Sequence, residues 1–252
     1  MSIIQGTAKS GGSTDFYDYP IEDSLRFDGS SYLSRTPSTA GNQKTWTFSF
    51  WAKRGNTGNN GIMLTAGYTG NPITEMSLSE DGLGFVTYTG SFYNYTLLTM
   101  KTRDTSAWYH FVVVSDTTQA TQANRGAVYM NGVRIDTGNN FAQNLDHYIN
   151  LNVQHNISNK LNYPNQQYFD GYLANIQLID GQALDQYFFG EFKDNIWVPY
   201  NAFSTAGSGT ATASDGDTAT DSYGTNGFHL DFADSSNIGN DVSGNNNDWT
   251  VN

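Results

Sequence analysis

The stretch WYHFVVVS, residues 108–115, decides the fold class of this chain. Successive side chains of a β-strand point to opposite faces of the sheet, and here both alternating sets are largely apolar. Both faces of this strand are therefore predicted to be covered by other elements. The segment WTFSFWAK at 46–53 alternates differently, with Trp46 and Phe50 on one face and Trp51 on the other. It predicts a half-buried strand with Trp51 as an exposed aromatic residue.

Short strand-like segments separated by clusters of Gly, Asn, Asp and Ser recur along the chain, and helical periodicity is almost absent. Asn131-Gly132 lies between two such segments and is a strong hairpin signal, because both residues tolerate the positive φ of a type I′ turn. Residues 182–189 predict one helical turn. The sequence therefore predicts an all-β protein. Its further strands are predicted at 24–28, 62–66, 73–78, 83–88, 95–100, 172–179 and 228–232.

Composition excludes several classes of partner and site. The chain has 252 residues and a formal net charge of −12, which repels phosphate backbones and anionic lipids. Nucleic acid is therefore not expected as a partner, and no apolar stretch is long enough for membrane insertion. The absence of cysteine excludes disulfides, thiol nucleophiles and cysteine-ligated metals. Residues 1–20 lack the basic start and apolar core of a signal peptide, so none is expected.

Five blocks of sequence carry a family resemblance. In their order and spacing they resemble the laminin-G-like, concanavalin A-like jelly-roll family over roughly residues 24–190. The resemblance implies a sandwich of two antiparallel sheets, and in many members of the family rim loops bind calcium and sugars. The blocks are SLRFDGSSYLS at 24–34, WTFSFWAKR at 46–54, WYHFVVVSD at 108–116, VYMNGVRID at 128–136 and FDGYLANIQLIDGQAL at 169–184.

A narrower resemblance is to laminin-G-like surface proteins of tailed bacteriophages, especially marine and cyanobacterial ones. It is carried by SRTPSTAGNQKTWTFSFWAKRGN at 34–56, DGQAL at 180–184, GTNGFHLDF at 224–232 and DVSGNNNDWTVN at 241–252. In such proteins the last segment usually resembles the opening of a module. Here it is expected either to pack where a first strand would lie or to pair with a neighbouring subunit.

The pattern divides the chain into three parts. Residues 1–23 are predicted to form an N-terminal arm, and residues 24–190 the laminin-G-like β-sandwich. Residues 191–252 form a C-terminal extension whose closing strands pack on the sandwich or on a neighbour. Within it, residues 204–224 are rich in Ser, Thr, Gly, Ala and Asp, which predicts a flexible loop.

Signatures of catalysis are missing from the sequence. Glycoside hydrolysis needs two facing carboxyl groups, and the Glu-x-Asp-x-x-Glu-like run of laminarinase relatives does not occur. Where many relatives carry an acidic residue in the strand after FDG, this chain has Asn175. The four histidines have no metal-binding spacing, and His110 is expected to be a hydrogen-bonded core residue. We therefore predict no catalytic residue and no enzyme activity.

Tyrosines in Asn-rich loops are the candidate sugar-binding residues, because a sugar site combines an aromatic platform with nearby polar groups. The candidates are Tyr93, Tyr95, Tyr148, Tyr163 and Tyr168. The alternative is that these tyrosines serve turns, rims or subunit interfaces, which suit Tyr and Asn equally well.

Calcium is the one candidate cofactor. Asp215, Asp217 and Asp221 in SDGDTATD supply the hard oxygen ligands that calcium prefers. Their spacing does not fit an EF-hand loop, and the alternative is an acidic loop that is simply solvated.

Together with the resemblance, these features predict a non-enzymatic structural protein on the surface of a phage virion, made in the host cytoplasm. It would be a capsid decoration or a fibre or tail accessory. Expected partners are other virion proteins, bound through residues 1–20 and 248–251, and further copies of the chain, with a trimer as one arrangement. The alternative is a lectin-like module for glycans of the host surface. A glycoside hydrolase is a third alternative, which lacks its carboxylate pair.

Overall fold

The computed structural model describes residues 17–58, 60–68, 72–91, 93–98, 100–161, 167–204 and 209–252. Over these residues the chain forms strands and two short 3₁₀ turns, at Gln122–Asn124 and Gln186–Phe188. The strands are β1 (Leu25–Asp28), β2 (Leu33–Arg35), β3 (Thr45–Arg54), β4 (Gly61–Gly67), β5 (Ile73–Ser79), β6 (Gly82–Tyr88), β7 (Tyr93–Leu98), β8 (Tyr109–Asp116), β9 (Gly126–Met130), β10 (Val133–Arg134), β11 (Asp136–Asn139), β12 (Gln154–Ile157), β13 (Asp170–Asp180), β14 (Gly190–Lys193), β15 (Ile196–Pro199), β16 (Thr210–Thr212), β17 (Thr218–Thr220), β18 (Phe228–Leu230) and β19 (Thr250–Val251).

Two antiparallel sheets build the sandwich. The seven-stranded sheet has the order β1-β13-β3-β8-β9-β10, and β18 pairs with the second half of β13. The eight-stranded sheet has the order β11-β7-β6-β5-β4-β12-β2-β19. This arrangement confirms the predicted all-β, two-sheet antiparallel jelly roll.

The core between the sheets is aromatic. Trp46, Phe48 and Phe50 of β3 are buried in it, together with Phe85 of β6 and Phe111 of β8. Rings pack at centroid distances near 5 Å, as between Trp46 and Phe85 at 5.4 Å, within the range in which aromatic pairs add to the energy of burial. Charged residues are few in this chain, and burial of these apolar side chains stabilises the fold.

β8 is a central strand, as its pattern predicts. Phe111 and Val113 face the core between the sheets, whereas Val112 belongs to a second apolar cluster on the outer side of the seven-stranded sheet. The predicted hairpin is also confirmed. Asn131 and Gly132 have φ values of 48° and 79° and connect β9 to β10.

Chain segments from beyond residue 181 cover the outer side of the seven-stranded sheet. Phe189 and Phe203 pack there with Tyr223, and the β14–β15 hairpin lies against β8 through Trp197. Trp197 of this cover and Ile21 of the N-terminal segment pack around Trp51, which is 9% exposed and stacked on His110, so its predicted exposure is wrong.

The segment 204–224 contains the β16–β17 hairpin in its described part, residues 209–224. Ala211 and Ala213 are buried in the second apolar cluster, and Tyr223 is buried beside them. Small side chains let this hairpin approach the sheet closely, which a composition of Ser, Thr, Gly and Ala does not reveal.

The first and the last segments of the described chain contact the sandwich. Residues 1–16 of the predicted arm lie outside the described residues, whereas Ile21 is buried against Trp51 and Ala174. At the other end, β19 pairs with β2 of the same chain, and Trp249 is buried against Phe228. None of the helical segments in the described part of the chain has the length and apolar character of a transmembrane helix.

Candidate functional site

The outer side of the eight-stranded sheet is exposed in part. On the outer side of the eight-stranded sheet, directly paired residues of neighbouring strands share a face and form a continuous row. We call it the open row: Tyr95 is exposed and Val86, Glu75 and Ser34 are partly exposed, whereas Thr65 and Asn156 are buried. The row runs through Tyr95, Val86, Glu75, Thr65, Asn156 and Ser34.

Residues after β12 fold back over part of this row. The hydroxyl of Thr65 donates to the carbonyl of Asn159 at 3.0 Å, and Asn156 Nδ2 donates to Asn159 Oδ1 at 3.0 Å. Lys160 Nζ lies 2.8 Å from Glu75 Oε2. Asn159 Nδ2 is buried without a hydrogen-bond partner among the described residues. Two hydrogen bonds and one ion pair therefore hold the residues after β12 on the centre of the row.

Two tyrosines form an aromatic corner at the rim of the same sheet. Tyr68 follows β4 and is 51% exposed, and its ring packs edge-to-face on that of Tyr148 with centroids 6.1 Å apart. The backbone N–H of Tyr148 donates to Thr74 Oγ1 at 2.9 Å, which holds the loop on β5. Burial raises the pKa of Tyr148, and the nearby Tyr68 adds to the shift, so its hydroxyl remains a donor at neutral pH.

The predicted tyrosines are distributed over three places. Tyr95 lies at the end of the open row and is 40% exposed. Tyr148 belongs to the rim corner, and Tyr168 packs on Tyr32 with ring centroids 6.2 Å apart. Tyr93 is part of β7 next to Tyr88, but its side chain is outside the description. Tyr163 falls outside the described residues.

The acidic candidates separate into two groups. Asp215 and Asp217 join Asp185, and each residue offers an oxygen within 4.8 Å of the others. This donor set fits calcium, whose oxygen ligands lie at about 2.3–2.6 Å. Asp221 is buried elsewhere, where its carboxylate accepts hydrogen bonds from the backbone N–H and the hydroxyl of Ser204.

The same cluster perturbs one carboxyl group. Burial raises the pKa of Asp185, and the neighbouring carboxylates of Asp215 and Asp217 raise it further. Asp185 also caps the second 3₁₀ turn by accepting from the N–H of Tyr187 at 2.9 Å. The carboxylates of Asp215 and Asp217 therefore disfavour the ionised form of Asp185.

The four histidines are structural. Burial lowers the pKa of His110 and His147 to about 3 and that of His155 and His229 to about 4, so all are neutral at pH 7. His110 is a hydrogen-bonded core histidine, as predicted, because its Nε2 lies 2.9 Å from Ser49 Oγ.

Comparison with known proteins identifies the family. The sequence profile of the concanavalin A-like lectin/glucanases superfamily, in its laminin-G form, matches residues 27–186, more than half of the chain. The chain belongs to this superfamily. No protein of curated function matches the sequence.

Several solved structures are similar to this chain. Domain 4 of an extracellular family 43 arabinanase from Geobacillus stearothermophilus, solved with arabinotriose, has 20% identity and a TM-score of 0.50, covering 70% of this chain and 79% of that chain. A heptameric pentraxin from Limulus polyphemus has 21% identity and a TM-score of 0.48, with 68% and 80% covered. Domains LG4-5 of the mouse laminin α1 chain have 11% identity and a TM-score of 0.47, with 73% and 48% covered.

Two residues of these sites, Asp185 and Tyr68, were not predicted from the sequence. Asp185 lies in a predicted helical turn, 30 positions before Asp215, and only the tertiary fold brings the two together. Tyr68 stands in the segment GYTGNP, whose Gly and Pro indicate a loop that exposes its aromatic residue. The sequence thus indicates an exposed aromatic residue at this position, although Tyr68 is not among the predicted sugar-binding tyrosines.

Proposed function

We propose that this chain is a non-catalytic carbohydrate-binding domain of the concanavalin A-like superfamily. The observation that carries the proposal is the rim corner, where the exposed ring of Tyr68 is held by Tyr148. An exposed aromatic ring that a second ring holds in place suits the apolar face of a sugar.

The charges of the open row favour binding over hydrolysis. Within the row, Glu75 supplies the carboxylate, and Lys160 pairs with it at 2.8 Å. Glu75 is the one carboxylate among the residues of the row, whereas glycoside hydrolysis uses two carboxyl groups that face each other across the scissile bond. The row therefore supports a lectin-like function.

A glycan array tests this function. A multimerised form of the chain, probed in calcium and in EDTA, is expected to bind oligosaccharides, since arrayed copies add avidity of about 10²–10⁴. Tyr68→Ala and Tyr95→Ala should each weaken binding about tenfold or more, equal to about 1.4 kcal/mol. Ile196→Ala serves as the matched control, because Ile196 is also exposed but belongs to the hairpin on the opposite sheet.

Two results would contradict the proposal. One is the absence of binding to any glycan in either condition. The other is an equal loss of binding in Ile196→Ala and the tyrosine variants, which would indicate a general surface effect.

We also propose that the domain is displayed on a phage virion, as a capsid decoration or a fibre or tail accessory, in contact with other virion proteins. The proposal rests on the four phage-like segments and on β19, an edge strand of the eight-stranded sheet with the exposed Val251. Edge strands present backbone N–H and C=O groups to which a neighbouring chain can add a strand.

Two measurements test the display. Sedimentation of the purified chain is expected to reveal a homo-oligomer such as a trimer. A cryo-EM reconstruction of particles should show the domain at fixed positions, and deletion of residues 1–20 should abolish its incorporation while the core stays folded. Normal incorporation of the deleted chain would exclude attachment through this segment.

A further inference from the structure

A polar cavity of about 340 Å³ lies on the outer side of the seven-stranded sheet, away from the open row. The segment 17–23 crosses this side of the sheet, and the residues after β18 close the cavity from the other side. Such a volume is within the range of small-molecule sites. The lining residues are Tyr19, Pro20, Ile21, Glu22, Asp23, Asn175, Asp231 and Ala233.

Asn175 presents an unsatisfied donor in this cavity. It lies between Ala174 and Gln177, where the pairing of β13 with β3 shifts register, and its φ of 46° turns it out of the strand. Its side chain is buried, with 2% of the residue exposed, yet Nδ2 has no hydrogen-bond partner in the described part of the chain. A buried amide N–H without a partner costs about 1–3 kcal/mol, which a ligand acceptor would recover.

The orientation of this amide is fixed by its other end. Oδ1 accepts from His229 Nε2 at 2.6 Å and from the hydroxyl of Tyr19 at 3.3 Å. His229 is neutral because burial lowers its pKa to about 4, and its Nε2 carries the proton that Oδ1 accepts. Gln177 Nε2 also lies 3.4 Å from Oδ1, so this oxygen is occupied and Nδ2 is the end of the amide that lacks a partner.

Carboxylates form the rest of the polar lining. Glu22 and Asp23 are exposed at the mouth, and Asp231 is half-buried. Burial and the charge of Asp231 raise the pKa of Tyr19 to about 12, so Tyr19 stays a hydroxyl donor. The cavity thus combines one buried amide donor with three acceptors.

An apolar cavity of about 170 Å³ lies next to the polar one. Ile21 lines both, and Ala174 of the apolar cavity precedes Asn175 of the polar cavity in β13. Three indole rings, of Trp51, Trp108 and Trp197, give it aromatic walls. Trp51 Nε1 is also buried without a hydrogen-bond partner among the described residues.

We propose that the two cavities form one saccharide site, distinct from the rim corner and the open row. Asn175 Nδ2 donates to a sugar oxygen, the carboxylates of Glu22, Asp23 and Asp231 accept from sugar hydroxyls, and the tryptophans contact the apolar face of a sugar ring. A metal cation does not fit an amide N–H, and an amine would leave that N–H without an acceptor. A neutral polyhydroxylated ligand satisfies both kinds of group.

Titration of the full chain with monosaccharides tests the site. D-glucose, D-galactose, D-mannose and N-acetyl-D-glucosamine are added separately, and indole fluorescence and saturation-transfer NMR report binding. A dissociation constant of about 1 mM is expected for at least one sugar, since a single small ligand gains roughly 4 kcal/mol. Glu22→Gln with Asp231→Asn should weaken binding about tenfold or more, because amides are poorer acceptors than carboxylates.

Control variants separate this site from the proposed function. Asp194→Asn removes an exposed carboxylate in the β14–β15 turn and should leave the titration unchanged, as should Tyr68→Ala. Asn175→Asp removes the amide donor and is expected to abolish binding. If this buried change prevents folding, the double variant Glu22→Gln with Asp231→Asn decides the matter.

Three results would overturn the inference. The first is no response to any of the sugars at about ten times the expected dissociation constant. The second is unchanged affinity in the double variant Glu22→Gln with Asp231→Asn. The third is a fluorescence response to calcium or spermidine in place of the sugars. Loss of glycan-array binding in Tyr68→Ala alone bears on the proposed function and leaves this site untouched.

Discussion

Trp197 Nε1 donates a hydrogen bond of 2.9 Å to Nδ1 of His110 and thereby joins the β14–β15 hairpin to the centre of the seven-stranded sheet. An indole nitrogen only donates, so Nδ1 is the acceptor and the proton of this neutral imidazole resides on Nε2. Nε2 in turn donates to Ser49 Oγ at 2.9 Å. The imidazole ring stacks on Trp51 at 4.8 Å. One buried side chain therefore links two strands of the sheet to the segment that covers them.

Replacing Trp197 with Phe is expected to destabilise the protein by about 1–3 kcal/mol, because Nδ1 of the buried His110 loses its donor. Denaturant unfolding measures the loss. Nitrogen NMR of the wild-type imidazole provides an independent readout, with the proton expected on Nε2. A proton on Nδ1, or a variant of unchanged stability, would contradict the assignment.

Stability is expected to fall on acidification from about pH 7 to about pH 5. All four histidines have a folded pKa near 3 or 4, below the ordinary 6.5, because burial disfavours the charged imidazole. Between the folded pKa and the ordinary pKa of a histidine, the unfolded chain binds a proton that the folded chain does not. Each histidine therefore lowers the free energy of unfolding by up to about 1.4 kcal/mol per pH unit of acidification in that range. Asp180 opposes this trend, since burial raises its pKa.

Urea denaturation at both pH values checks the sign of this dependence. Asp28 and Asp234 are examples of carboxyl groups whose pKa is lowered in the folded chain. They add to acid sensitivity only below about pH 4, where these groups bind protons in the unfolded chain before they do so in the folded chain. Equal free energies of unfolding at about pH 7 and pH 5 would show that the histidines titrate normally in the folded chain.

Features that depend only on neighbouring residues in the sequence were predicted correctly. The two apolar faces of β8 and the turn at Asn131-Gly132 are properties of neighbouring residues, and both were predicted from sequence. The burial of Trp51 was not, because its cover comes from Ile21 on one side and Trp197, nearly 150 residues later, on the other. Alternation identifies the two faces of a strand, but it does not say which face another segment will cover.

The candidate sites show the same limit. Asp215 and Asp217 are close in sequence and lie together in the acidic cluster, whose third member is Asp185. Asp221 lies outside this cluster and accepts hydrogen bonds from Ser204. Tyr148 was predicted from its Asn-rich loop, but its contact with Tyr68 depends on how the rim loops meet. Residue types could be predicted, and their tertiary partners could not.

Asp180→Ala is expected to cost about 2–4 kcal/mol. The buried carboxylate accepts from the backbone N–H groups of Asn42 and Asn226 and from Asn150 Nδ2, at 2.7–3.0 Å. Removing it leaves several donors without an acceptor, each at a cost of about 1–3 kcal/mol where it is buried. Thermal unfolding measures the loss.

Asp28→Ala is the matched control for this prediction. Asp28 also accepts hydrogen bonds from backbone and side chains, those of Ser30 and Ser31, but it is exposed and water can replace it. Its loss should be clearly smaller than that of Asp180→Ala. Equal losses would mean that burial of Asp180 adds nothing to its role as an acceptor.

Asp217→Asn is expected to change the response to calcium. In EDTA the variant should be at least as stable as the wild type, because one of three crowded carboxylates is neutralised and the raised pKa of Asp185 falls. In calcium the wild type should gain melting temperature, by about 2.7 kcal/mol of stability at a hundredfold excess over the dissociation constant, and the variant should gain less. Asp221→Asn, outside the cluster, is the comparison for calcium dependence. An equal calcium shift in the wild type and Asp217→Asn would place any calcium ion elsewhere, and no shift in the wild type would show that this cluster holds none.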